Sequence, residues 1–133
     1  MTITRHNIRR ASGPYAKDAP PYPKPRVRSA NAVVHNNVVY IRGQVSYDPE
    51  ADVKKQTEQV LALIDTYLAE VGSDKSKLLW VNVWLANIMD IDAHNEVWDA
   101  WMDPENPPAR AAVEGRLAES YQKVEIAAIA AID

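Results

Sequence analysis

Apolar positions along the chain follow two periods. Within residues 52–71, Val53, Thr57, Val60, Leu61, Ile64, Leu68 and Val71 recur at intervals of three and four. Lys54, Lys55, Glu58, Asp65 and Glu70 lie largely off that stripe. This is the pattern of an amphipathic helix, and Gly72 stands where its C-cap is expected. A second stripe of Ile91, Asn95, Trp98 and Met102, with Val97 and Trp101 nearby, predicts a helix over residues 90–102 that Asp103-Pro104 ends. Asn95 is the polar exception on that stripe. A buried Asn needs partners, so it serves as a structural amide or as a ligand group. His94 lies about 100° around the helix from Asn95 and is expected at the surface.

Elsewhere the period is two. Residues 2–8 form a short first strand. Residues 29–34 and 38–45 flank His35-Asn36-Asn37, and two asparagines that tolerate positive φ predict a hairpin turn. Gly43 interrupts the second of these strands, the mark of a bulge or a close backbone approach. In residues 78–86, Leu79, Val81, Val83 and Leu85 are expected on one face and Trp80, Asn82 and Trp84 on the other. Tryptophans on the second face argue that it is covered too, by another sheet or a subunit.

Residues 109–117 and 121–132 are rich in small residues and separated by Glu119-Ser120, which predicts a tight β-hairpin. With a two-residue turn, Arg110 faces Ile129, Ala112 faces Ala127 and Glu114 faces Glu125. Arg110 and Glu125 then share a face on the diagonal, with alanines between them. That leaves a small hole with a cation at one end and a carboxylate at the other. The alternative is an exposed strand face with scattered charges.

The element order is therefore β-β-β-α-β-α-β-β. It predicts an α+β layer fold in which both helices pack on one face of a mixed sheet. The other face carries Trp80 and Trp84 together with the Arg110 and Glu125 positions in some combination. Self-association is a natural way to bury it.

Length and composition narrow the picture. The 133 residues correspond to one domain, and 47% apolar with 25% charged residues is ordinary for a soluble globular protein. The absence of cysteine excludes disulfides, thiolate metal sites and a cysteine nucleophile. His6, His35 and His94 have no metal-ligand spacing. The first residues hold no apolar stretch suited to a signal peptide, and no window approaches the roughly 18 apolar residues of a membrane span. A cytoplasmic protein without membrane partners is the expectation. Charge is lopsided: residues 1–30 hold seven Lys/Arg and one acid, and the remaining 103 hold eight Lys/Arg and seventeen acids. The basic stretch suits nucleic acid, or an acidic surface of its own chain or of a neighbouring subunit. Its shortness and its prolines (Pro20, Pro21, Pro23 and Pro25) favour the second reading.

Taken together, the ordered pieces resemble the YjgF family, the reactive-intermediate (imine/enamine) deaminases, also called RidA-like. The resemblance runs from Gly13 to Ala130. It is carried by Gly13-Pro14-Tyr15, Tyr40-Ile41-x-Gly43-Gln44, the helix ending at Gly72, and the strand-plus-helix with Asn95. Pro108-Ala109-Arg110 and Val124-Glu125-Ile126-x-Ala128-Ile129-Ala130 complete it. No single piece is specific, but the ordered set at these spacings is. The resemblance implies a chorismate-mutase-like fold and a homotrimer with three clefts between subunits. It also implies cofactor-free hydrolysis of 2-imino and enamino acids to 2-keto acids and ammonia. Arg110 matches the arginine that grips the substrate carboxylate, and Glu125 the glutamate that works with a water at the C=N bond. Tyr15 matches a pocket tyrosine and Asn95 a helix asparagine near the cleft. Gly43 and Gln44 match backbone-shaping positions.

Two positions depart from the family. Arg42 stands where the deaminase branch commonly has serine or another small residue, and Ala112 stands where it often has cysteine. If Arg42 enters the cleft, it adds a second cation and favours a dicarboxylic substrate. Alternatively it pairs with Glu125 or with an acid across the interface, which lowers the carboxyl pKa. Two other functions compete with the deaminase. One is a non-catalytic trimeric protein that binds small carboxylates. The other is an endoribonuclease or translation inhibitor, against which the acidic body and the lack of paired histidines argue.

Overall fold

The structure, a computed structural model, describes residues 2–10 and 27–133. The strands are β1 (Thr4–Arg10), β2 (Val27–His35), β3 (Val38–Val45), β4 (Leu78–Leu85), β5 (Ala109–Glu114) and β6 (Val124–Ala131). The helices are α1 (Val53–Glu70) and α2 (Ile91–Trp101), with short 3₁₀ turns at Lys75–Lys77 and Ile88–Asp90. The strands form one sheet in the order β1-β2-β3-β6-β4-β5. The loop motif Gly13-Pro14-Tyr15, the proline-rich stretch and the candidate pocket residue Tyr15 lie outside the described residues.

Local signals place most elements. Asn36 and Asn37 both adopt positive φ, 52° and 61°, and close the β2–β3 hairpin. Asp52 caps α1 by accepting from the Lys55 amide at 2.8 Å. At the other end Gly72 sits at φ 77°, and the amides of Gly72 and Ser73 donate to Ala69 and Leu68. These are the paired bonds that a left-handed residue after the last helical turn permits. The predicted stripe of α1 is buried from Val53 to Leu68, against β3 and β6.

The predicted hairpin of residues 109–117 with residues 121–132 does not form. β5 pairs in parallel with β4 and lies at the sheet edge, while β6 runs antiparallel between β3 and β4. The physical reason is composition. In β6, Val124, Ile126, Ala128 and Ala130 are at most 2% exposed, and such a strand is best placed at the centre. β5 carries Arg110, Glu114 and a half-exposed Val113, and tolerates the edge. α2 supplies the crossover that a parallel β4–β5 pair needs.

The register divides the sheet into two faces. On the helix side one rung reads Ile41, Ala128, Val81, Arg110 across β3, β6, β4 and β5, and the next reads Gln44, Ile126, Val83, Ala112. On the far side, Tyr40, Ile129 and Trp80 align, as do Val45, Glu125, Trp84 and Val113. A register irregularity between Leu78 and Trp80 corrects one expectation: Leu78 points inward and Leu79 is 49% exposed. Among the described residues, no element covers the far face.

Candidate functional site

Arg110 and Glu125 occupy opposite faces of the sheet. Their strands are separated by β4, so the shared-face register predicted for a hairpin is replaced by one in which Arg110 aligns with Val81 and Glu125 with Trp84. Within one chain the two charges do not converge on one hole.

The Arg110 side is built by β5 and α2. Its Nη2 donates to Asn95 Oδ1 at 2.9 Å, and its guanidinium carbon lies 4.8 Å from the centre of the Trp98 ring. A planar cation stacked on indole and held at one edge by an amide is oriented before any ligand arrives. Burial pulls its pKa down and Asp99 opposes that pull, but a guanidinium stays charged. Asn95 thus has its partner in Arg110. Ala112 lies one rung further on, opposite Val83, and packs against the core.

His94 is fully buried, not at the surface. It recurs four residues before Trp98, the spacing that places it on the same inward stripe. That interval was the available signal. Its Nδ1 lies 3.1 Å from Thr57 Oγ1 on α1, and burial next to Arg110 lowers its pKa to about 4, with Asp99 acting the other way. Tight α1–α2 packing is reinforced by Trp101 Nε1 donating to Asp65 at 2.8 Å and by the Lys54–Glu96 ion pair at 2.7 Å.

The Glu125 side lies on the uncovered face. Val45 and Trp84 flank the residue in register, and burial among them raises the pKa of its carboxyl, with Arg42 pulling it back. Gly43 lies directly beneath the carboxyl: a Cβ on Gly43 would sit 2.7 Å from Glu125 Oε2 and 2.9 Å from its Cδ. The bulge that skips Arg42 and Gly43 in the β3–β6 register creates this seat. Gln44 stabilises it from within, donating from Nε2 to the Arg42 carbonyl at 2.9 Å. The Arg42 guanidinium donates from Nε and Nη2 to Asn31 Oδ1 at 3.4 and 3.3 Å. Its charge acts on Glu125.

The strand that carries Glu125 is fixed by a buried amide. Gln56, wholly enclosed on α1, donates to the Tyr121 carbonyl at 2.9 Å and accepts from the Lys123 amide at 2.8 Å. Nothing in the helical pattern distinguished this glutamine from a surface residue.

Residues 20–132 match the family model described as Endoribonuclease L-PSP. A RutC family protein of Haemophilus ducreyi is 45% identical over 106 residues, covering 80% of this chain and 91% of that protein. The chain belongs to the YjgF/RidA-like family. The RutC family protein YoaB of Escherichia coli is 39% identical over 105 residues, covering 79% of this chain and 91% of that protein. The crystal structure of NMB1025, a YjgF-family protein of Neisseria meningitidis, superposes with a TM-score of 0.81 at 34% identity, covering 100% of this chain and 97% of that one. The mixed six-stranded sheet with two helices is thus the YjgF-family fold. No helix among the described residues is long and apolar enough to cross a membrane.

Proposed function

We propose that the protein hydrolyses 2-imino and enamino acids to 2-keto acids and ammonia, in clefts between the subunits of a homotrimer. The observation that carries this reading is the placement of Arg110 and Glu125 on opposite faces of one sheet. They act together only if one copy brings its β5 edge to the uncovered face of the next. The far face is suited to such contact, since Tyr40, Leu79, Trp80 and Val113 are each 39–49% exposed.

The chemistry asks little of the protein. Arg110, held by Asn95 and Trp98, pairs with the substrate carboxylate. Glu125, as carboxylate, takes a proton from water while the water oxygen bonds to the carbon of the protonated imine. The product of that step is a neutral carbinolamine. The protonated Glu125 then gives its proton to the amino nitrogen. The C–N bond breaks as the carbinol oxygen forms C=O, the hydroxyl proton leaves with the ammonia, and Glu125 is a carboxylate again. A carboxyl whose pKa is raised by burial suits both transfers near neutral pH. Positioning and proton transfer account for the rate.

The competing reading, a trimer that binds small carboxylates without turnover, keeps Arg110 and leaves Glu125 idle. Ammonia release from freshly generated 2-iminobutyrate separates the two. The expected result is acceleration by wild type, lost in Arg110→Ala and in Glu125→Gln. Binding of the keto acid with no acceleration of imine hydrolysis would replace the deaminase by the binder.

A further inference from the structure

Two buried side-chain nitrogens are without a hydrogen-bond partner among the described residues: His94 Nε2 and Arg110 Nη1. They belong to side chains that meet at one ring. Arg110 stacks on Trp98, and the His94 ring centre is 6.4 Å from that of Trp98.

The protonation of the imidazole follows from its neighbour. Thr57 has one hydroxyl hydrogen, and it goes to the Val53 carbonyl, 2.7 Å away. Toward His94 Nδ1, at 3.1 Å, Thr57 Oγ1 is therefore an acceptor. The hydrogen on the ring sits on Nδ1, and Nε2 presents a bare lone pair. Arg110 Nη1 presents the opposite, a charged N–H out of reach of solvent. Its sister Nη2 is already used on Asn95. One donor and one acceptor, each costly to leave unpaired when buried, border the same Trp98 ring.

We propose that His94 is a positioning residue for Arg110: its neutral Nε2 accepts from Nη1 through one enclosed water, and with Asn95 and Trp98 fixes the guanidinium plane that meets the substrate carboxylate. The hydrogen-bonded series Val53–Thr57–His94 then reaches Arg110 through that water, so α1 sets the orientation of a group on β5. The kinetic consequence rests on the deaminase reading above, while the pairing itself does not.

The test has two arms. Imidazole ¹⁵N spectra of wild type are expected to show His94 as the Nδ1–H tautomer, its Nε2 resonance shifted by hydrogen bonding, and that shift lost in Arg110→Lys. A protonated Nε2, or a resonance unmoved by Arg110→Lys, overturns the proposal. In the kinetic arm, His94→Asn keeps a polar atom for Thr57 but removes Nε2, whereas His94→Gln places an amide oxygen near the Nε2 position. KM for the imino acid is expected to rise roughly ten-fold in His94→Asn, the worth of about one hydrogen bond. kcat should change little, and His94→Gln should restore most of the loss. A merely structural histidine would lower the melting temperature of both variants and leave both KM values at that of wild type. If wild type hydrolyses no imine, the functional reading fails, and the spectra alone decide the pairing.

Discussion

Gly43 gives the sharpest prediction, because one methyl group changes one distance. The Cβ of Gly43→Ala would lie 2.7 Å from Glu125 Oε2 and 2.9 Å from Cδ. Unstrained contacts begin near 3.5 Å, so the carboxyl must retreat by about 0.8 Å. It can do so by rotating its side chain, since the obstacle is not backbone. Gly43 is not among the residues with positive φ, so alanine is tolerated by the main chain. Stability should hold or rise by about 0.5 kcal/mol through the unfolded state. Activity should not hold. A displacement of that size at a proton-transfer group costs on the order of 10²-fold in kcat. KM should move little, because the anchor at Arg110 belongs to another element. Gly115→Ala is the control, as its Cβ would meet Trp84 Cδ1 at an ordinary 3.4 Å. The assay is ammonia release from 2-iminobutyrate with a melting curve for each variant. A Gly43→Ala protein with wild-type kcat would refute the seat beneath Glu125.

Other consequences are more local. Gly72→Ala places a side chain at φ 77°, and should lower stability by about 1 kcal/mol in denaturant titration without changing kcat. Arg42→Ser removes the charge that holds down the Glu125 pKa, so the acidic limb of the pH–rate profile should move upward. The same variant, assayed on mono- and diacid imines, tests whether Arg42 selects a second carboxylate, and an unchanged preference would remove that idea. His94 is buried neutral, with Arg110 against its protonation, Asp99 favouring it, and a folded pKa of about 4. Its unfolded value is near 6.5, so the unfolded chain binds the extra proton first as pH falls. The stability present above pH 6.5 is lost progressively toward pH 4, by about 3 kcal/mol at most. His94→Leu should flatten that part of the pH–stability curve.

Much of the fold was legible because its signals are local. The stripe from Val53 to Leu68, the glycine after α1 and the asparagine pair at 36–37 each act on their own segment, and each forms as expected. The pairing of the last two strands was not legible. Glu119-Ser120 looks like a tight turn, but strand neighbours are chosen by where apolar surface is buried, and β6 is the most completely buried strand of the sheet. The consequence reached the site. Arg110 and Glu125 stand out by residue type and by family resemblance, yet their relation to each other depends on a non-local pairing. His94 is buried although a stripe drawn through Asn95 leaves it outside. A helix face two residues wide includes both, and the buried one turned out to be the histidine.

In the proposed trimer each site takes Arg110 from one subunit and Glu125 from another. Mixing the two inactive proteins, Arg110→Ala and Glu125→Gln, under conditions that exchange subunits tests this sharing. Each alone has every cleft damaged. In randomly mixed trimers, about one quarter of the clefts would pair an intact Arg110 with an intact Glu125 from a neighbour. Imine hydrolysis should therefore return to roughly a quarter of the wild-type rate. No recovery, with subunit exchange verified by mass spectrometry of the mixed trimers, would contradict a site shared between copies.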